Sequence, residues 1–126
     1  MSEQEQVASV MRRTTVSVQP DTTLRELAEI LVREEIGCVV VRGADEPAGL
    51  VSERDLVRAI ADDADLDGDR ASDVMAYEIV SLAPDQPLAE AARTMLDGGI
   101  RHLPVLDGHT VVGIVSMRDV LEHLLD

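Results

Sequence analysis

The strongest constraint on this chain is that its first half recurs in its second. Gly49-Leu-Val-Ser-Glu-Arg-Asp-Leu-Val57 returns as Gly113-Ile-Val-Ser-Met-Arg-Asp-Val-Leu121, an offset of 64 residues. The same offset carries Val10-Met11 to Val74-Met75, Val16-Ser17 to Val80-Ser81, and Pro20-Asp21 to Pro84-Asp85. It also carries Leu24, Glu26 and Ala28 to Leu88, Glu90 and Ala92, Ile36 to Ile100, and Val41 to Val105. The matches fall on turn and core positions and need no gap over about fifty residues, so the chain is an internal duplication.

Each copy reads as β-α-β-β-α. In the first, Val16-Ser-Val18 alternates into Pro20-Asp21 as a short strand. Leu24, Leu27, Ala28, Leu31 and Val32 then fall on one helical face, with Glu26, Glu29, Arg33 and Glu34 opposite. Thr22 or Thr23 caps this helix, Glu26 is placed for a capping box, and Gly37 is its stop signal. Cys38–Val41 is a β-branched run expected to be buried. Gly49–Val51 is a further short strand, and Ser52 opens a helix to about Ala61. The domain plan is repeat 1 over 8–62, an acidic linker over 63–71 and repeat 2 over 72–126. Neither copy buries a comfortable core alone, so the two are expected to pack in a pseudo-twofold, an α/β (α+β) fold.

Composition narrows the function. Net charge is -14, all eleven basic residues are Arg, and the single aromatic is Tyr77. Such a surface repels nucleic acid and anionic membranes, and offers no aromatic platform for stacking bases. An acidic, lysine-free surface resembles those of halophilic proteins. Cys38 is the only cysteine, so no intramolecular disulfide forms. The polar N-terminus is unlike a signal peptide and no apolar run approaches a membrane span, so a soluble cytoplasmic protein is expected. Asp63-x-Asp65-x-Asp67-Gly68 matches the start of a calcium loop, but its twelfth position is Val74 rather than the bidentate Glu required. His102, His109 and His123 have no metal-binding spacing, and no metal is expected.

The duplicated pattern resembles a tandem pair of CBS domains, named for cystathionine β-synthase. The resemblance rests on Asp73-Val-Met75, Val80-Ser-Leu-Ala-Pro84, Ile100-Arg-His-Leu-Pro-Val105 and the Gly-h-Val-Ser-x-x-Asp corner of both halves, where h is apolar. Repeat 1 departs from it, having Cys38-Val39-Val40 where repeat 2 has His102-Leu103-Pro104. The resemblance implies a non-enzymatic, ligand-sensing module that binds adenosine-containing molecules between its repeats. It also implies a homodimeric disc of four repeats. By the same resemblance one cleft combines Ser52, Arg54 and Asp55 with Val80, Arg101 and His102. The other combines Ser116, Arg118 and Asp119 with Val16, Gly37 and Cys38.

The corner chemistry suits such a ligand. Asp55 and Asp119 offer paired acceptors for ribose hydroxyls, and Ser52 and Ser116 can bond sugar or phosphate oxygens. The helix N-terminus beside them favours phosphate, and Arg54 and Arg118 supply countercharge. Ser-x-x-Asp is equally a helix capping box, and one residue pair can serve both roles. Arg54, Arg101 and His102 make the Asp55 cleft the more cationic, against Arg118 with Arg12 and Arg13 as further candidates in the other, so a phosphate-bearing ligand is expected in the Asp55 cleft. AMP or ADP, less readily ATP, or S-adenosylmethionine are the candidate ligands. The regulated partner is expected to be a separate protein. The alternative is an assembly module whose clefts bind nothing.

Overall fold

The computed structural model describes residues 5–13, 16–44, 49–76 and 80–125. The chain packs as two units, Val16–Glu78 and Met1–Thr15 with Ile79–Asp126. The units are thus offset from the sequence repeats: each repeat's leader packs with the other repeat's body.

In the Val16–Glu78 unit, β1 (Ser17–Val18) runs parallel to β2 (Cys38–Val41), which pairs antiparallel with β3 (Gly49–Ser52). Helix α1 (Leu24–Glu34) links β1 to β2, α2 (Glu53–Ala61) follows β3, and α3 (Ala71–Val74) is a single turn. In the other unit, α4 (Leu88–Gly98) precedes β4 (His102–Asp107), which pairs antiparallel with β5 (Thr110–Ser116) and leads into α5 (Met117–Leu125). Cys38, Val39, Val40 and Val41 face Ser52, Val51, Leu50 and Gly49, and every one of these pairs recurs 64 residues later.

The two cores are copies as well. Val18, Leu24, Leu27, Leu31, Val39, Val41, Val51 and Leu56 correspond to Leu82, Leu88, Ala91, Met95, Leu103, Val105, Val115 and Val120. Ala71, in one leader, corresponds to Val7 in the other, and both are fully buried. A fully buried Leu or Val contributes about 2 kcal/mol, so these shared positions carry most of each unit's cohesion. The leaders also add backbone pairing. The Arg12 N–H donates to the Ile114 carbonyl at 2.9 Å, and the Arg12 carbonyl accepts from the Ile114 N–H at 3.1 Å; the Ala76 N–H donates to the Leu50 carbonyl at 3.0 Å. Glycine is needed beneath each leader. A Cβ on Gly113 would lie 2.7 Å from Met11 Sδ and 2.9 Å from the Arg12 carbonyl, and one on Gly49 would lie 2.7 Å from the Ala76 carbonyl.

Three sequence expectations are corrected. First, α1 does not run to Gly37: it ends at Glu34, and Glu35 takes the left-handed conformation at φ 55°. Second, the acidic stretch over 63–71 keeps Asp63, Asp65 and Asp67 exposed but is docked rather than free. Ala71 is core, Leu66 packs against the core, and the Leu66 carbonyl accepts from Arg25 N–H at 3.0 Å. Arg25 also forks onto Asp67, Nε to Oδ1 at 2.6 Å and Nη2 to Oδ2 at 3.2 Å. This contact holds the Asp67 carboxyl below its ordinary range, mainly through the hydrogen bond. Third, the opening strand of repeat 2 is reduced to one parallel bridge, Leu82 to Val105, among the described residues. In repeat 1 the Val40 N–H donates to the Val16 carbonyl at 3.1 Å. Its counterpart is Pro104, which has no N–H, so the matching bond to Val80 cannot form.

Candidate functional site

Both Ser-x-x-Asp corners are realised as capping boxes, because a strand delivers the chain to the helix in extended conformation and the serine oxygen meets the amide three residues on. At the first, the Ser52 N–H donates to Asp55 Oδ2 at 2.8 Å, Ser52 Oγ lies 3.0 Å from the same oxygen, and the Asp55 N–H donates to Ser52 Oγ at 3.3 Å. At the second, the Ser116 N–H donates to Asp119 Oδ2 at 2.9 Å and the Asp119 N–H to Ser116 Oγ at 3.0 Å. A further bond recurs one residue into each helix. The Glu53 N–H donates to the Gly37 carbonyl at 2.9 Å, and the Met117 N–H to the Arg101 carbonyl at 2.8 Å. Two of the first three helical N–H groups are therefore taken at each corner. The helix start has less capacity for an anion than its sequence implied.

The corners differ in what surrounds the carboxylate. Asp119 is only 7% exposed, and Arg12 Nε donates to its Oδ1 at 3.1 Å, so both of its oxygens are engaged. Asp55 is half-buried, and among the described residues no donor meets its Oδ1. The position matching Arg12 is Ala76, which is exposed and has no side chain to reach across. The arginines differ too. Arg118 Nε donates to Glu122 Oε1 at 3.0 Å one turn along α5, whereas the position matching Glu122 is Arg58. Arg54 is exposed, and no carboxylate pairs with it among the described residues. The Asp55 corner thus carries Arg54, with no carboxylate paired to it among the described residues, and an available carboxylate oxygen. The Asp119 corner carries a neutralised pair and a saturated carboxylate.

The remaining sequence-derived residues sit as follows. Val16 is half-buried and its carbonyl is bonded to β2; Val80 is exposed. Arg101 is exposed just ahead of β4, and His102 opens that strand. Cys38 is buried at the start of β2, its Sγ donates to the Val39 carbonyl at 3.8 Å, and burial, aided by the charge of Asp55, pushes its thiol up to about 12. A thiol kept neutral by burial is a poor nucleophile. Arg12, which the sequence offers only beside Arg13 as a further cation for the Asp119 cleft, is the residue that closes on that carboxylate. It lies 107 positions from Asp119, and the offset that exposes every other site residue matches it to an alanine.

The CBS domain family model matches residues 7–62 and 71–126. The chain is 36% identical over 119 residues to an uncharacterised protein of Methanopyrus kandleri, covering 92% of this chain and 61% of that protein. A solved structure of a putative signal-transduction protein with CBS domains from Burkholderia ambifaria is 26% identical, with a TM-score of 0.90, covering 96% of this chain and 94% of that one. A CBS domain pair solved in complex with 5′-methylthioadenosine and S-adenosyl-L-methionine has the same fold, with a TM-score of 0.86 at 20% identity, covering 95% of each chain. With the family model matched twice, the repeated register and the duplicated cores, the chain belongs to the CBS domain family, as a tandem pair.

Proposed function

We propose that this CBS pair is a regulatory binding module for an adenine nucleotide or related adenosyl ligand, with no catalytic role, and that its Asp55 corner is the preferred site. The observation that carries this reading is the available Oδ1 of Asp55 in a corner that also holds Ser52 and Arg54. A carboxylate oxygen accepts a ribose hydroxyl, and a guanidinium group suits a mono- or diphosphate. With so few cations at the corner, AMP or ADP fits better than ATP. S-adenosylmethionine brings its own positive charge and needs none. That a CBS pair of this fold holds methylthioadenosine and S-adenosyl-L-methionine supports the ligand class at the level of the fold. Ligand binding stabilises one arrangement of the module over others, and the population shift is read by a separate partner protein. The module is proposed to act as a homodimer, in which exposed apolar side chains on its helices are covered by a second copy.

Thermal unfolding with AMP, ADP, ATP and S-adenosylmethionine tests this. The wild-type midpoint should rise with ligand concentration, reaching about 2.7 kcal/mol of added stability at a hundredfold excess over Kd. Asp55→Asn keeps an acceptor for the capping box but removes charge, and should abolish most of the shift. Asp119→Asn should leave it in place. No shift with any ligand overturns the sensor and leaves an assembly module. Equal losses in both variants overturn the preference for Asp55.

A further inference from the structure

We infer that the leader residue facing each corner decides whether that corner can accept a diol: Arg12 closes the Asp119 corner from within, and Ala76 leaves the Asp55 corner open. The inference rests on the binding role proposed for the corners and adds the residue that selects between them.

Arg12 and Ala76 occupy matched places. Each pairs through its backbone with the middle of a corner strand, Arg12 with Ile114 and Ala76 with Leu50. The Arg12 backbone is held on both sides, its N–H donating to Ile114 at 2.9 Å and its carbonyl accepting at 3.1 Å, so the side chain starts from a fixed point. From there Nε reaches Asp119 Oδ1 at 3.1 Å, the oxygen that the capping box leaves over. A vicinal diol needs that acceptor, and a guanidinium already bonded to it competes directly. Asp119 is also 7% exposed, whereas Asp55 is half-buried. At position 76 a methyl group replaces the guanidinium, and Asp55 Oδ1 meets no donor among the described residues. Alanine in place of arginine at this matched position therefore leaves only one of the two corners with a free acceptor among the described residues.

The test is a reciprocal exchange read by calorimetric titration with AMP, with circular dichroism to check folding. Wild type should bind about one AMP per chain. Arg12→Ala should bind about two, Ala76→Arg should lose binding at least tenfold, and the double variant should regain about one, now sensitive to Asp119→Asn and indifferent to Asp55→Asn. Ala76→Arg adds a side chain at an exposed position and removes no contact, so it remains informative if Arg12→Ala fails to fold. Two sites in wild type, or a folded Ala76→Arg protein that binds AMP as wild type does, overturns the inference while leaving the binding role intact. Binding by Arg12→Ala alone overturns the assignment of Asp55 as the open corner. No binding by any variant overturns the binding role and the inference together.

Discussion

Cys38 is a thiol held where water does not reach, and its consequence is a pH dependence. Its pKa is raised from an ordinary value near 9 to about 12, first by burial and then by the charge of Asp55. The folded protein therefore keeps a proton that the unfolded chain releases. Stability is full below about pH 9 and falls as pH rises toward 12, by at most about 1.4 kcal/mol per pH unit. The window is unusually clean, because the chain has no lysine and only Tyr77 as a phenol. Cys38→Val keeps an apolar side chain of similar size in β2 and should flatten this slope. Urea unfolding at pH 8, 9.5 and 11 checks it; equal slopes in the two proteins would show that the thiol is not the cause.

At the level of elements, the duplicated helices α1 and α4 end on the same geometry with different residues. Gly99 takes the left-handed turn at φ 63° without penalty, and its N–H donates to the Met95 carbonyl. Glu35 does the same at φ 55°, its N–H donating to the Leu31 and Val32 carbonyls, against the clash between a Cβ and its own carbonyl. Glu35→Gly should stabilise the protein by about 1 kcal/mol, raising the thermal midpoint by about 4 °C, while Gly99→Ala should destabilise it. Why sequence reasoning put the stop two residues late is plain from this turn: glycine is the expected breaker, and a glutamate in its place leaves no mark. The strands, helices and both capping boxes were legible, because duplication doubled each weak signal. What was not legible depends on contacts with no local signature. Pro104 truncates a strand by a donor it lacks, Leu66 and Ala71 dock an acidic stretch through two apolar residues among many aspartates, and the choice of Arg12 over Arg13 for Asp119 is made by contacts across most of the chain.

For the whole molecule, the duplication extends to surface residues that do not fit a solvated face. Val32, Val57 and Ile60 are exposed, and so are their counterparts Leu96, Leu121 and Leu124. Exposed apolar residues recurring at matched positions point to a partner surface, which the proposed homodimer would supply. Light scattering on wild type should report a dimer, and Val57→Glu with Leu121→Glu should report a monomer that keeps its circular dichroism; a monomeric wild type would leave these side chains to another partner. The exchange of leaders bears on how the chain comes off the ribosome. Residues 16–76 emerge as a continuous stretch that belongs to one compact unit. The leader emerges first, yet Val7 bonds to Gln86 and Arg12 to Ile114. At roughly 5–20 residues per second, Arg12 waits about 5–20 s for its strand to be made. Until then Val7 and Met11 lack the core residues they pack against, so this leader is completed only after the second repeat's strands are made.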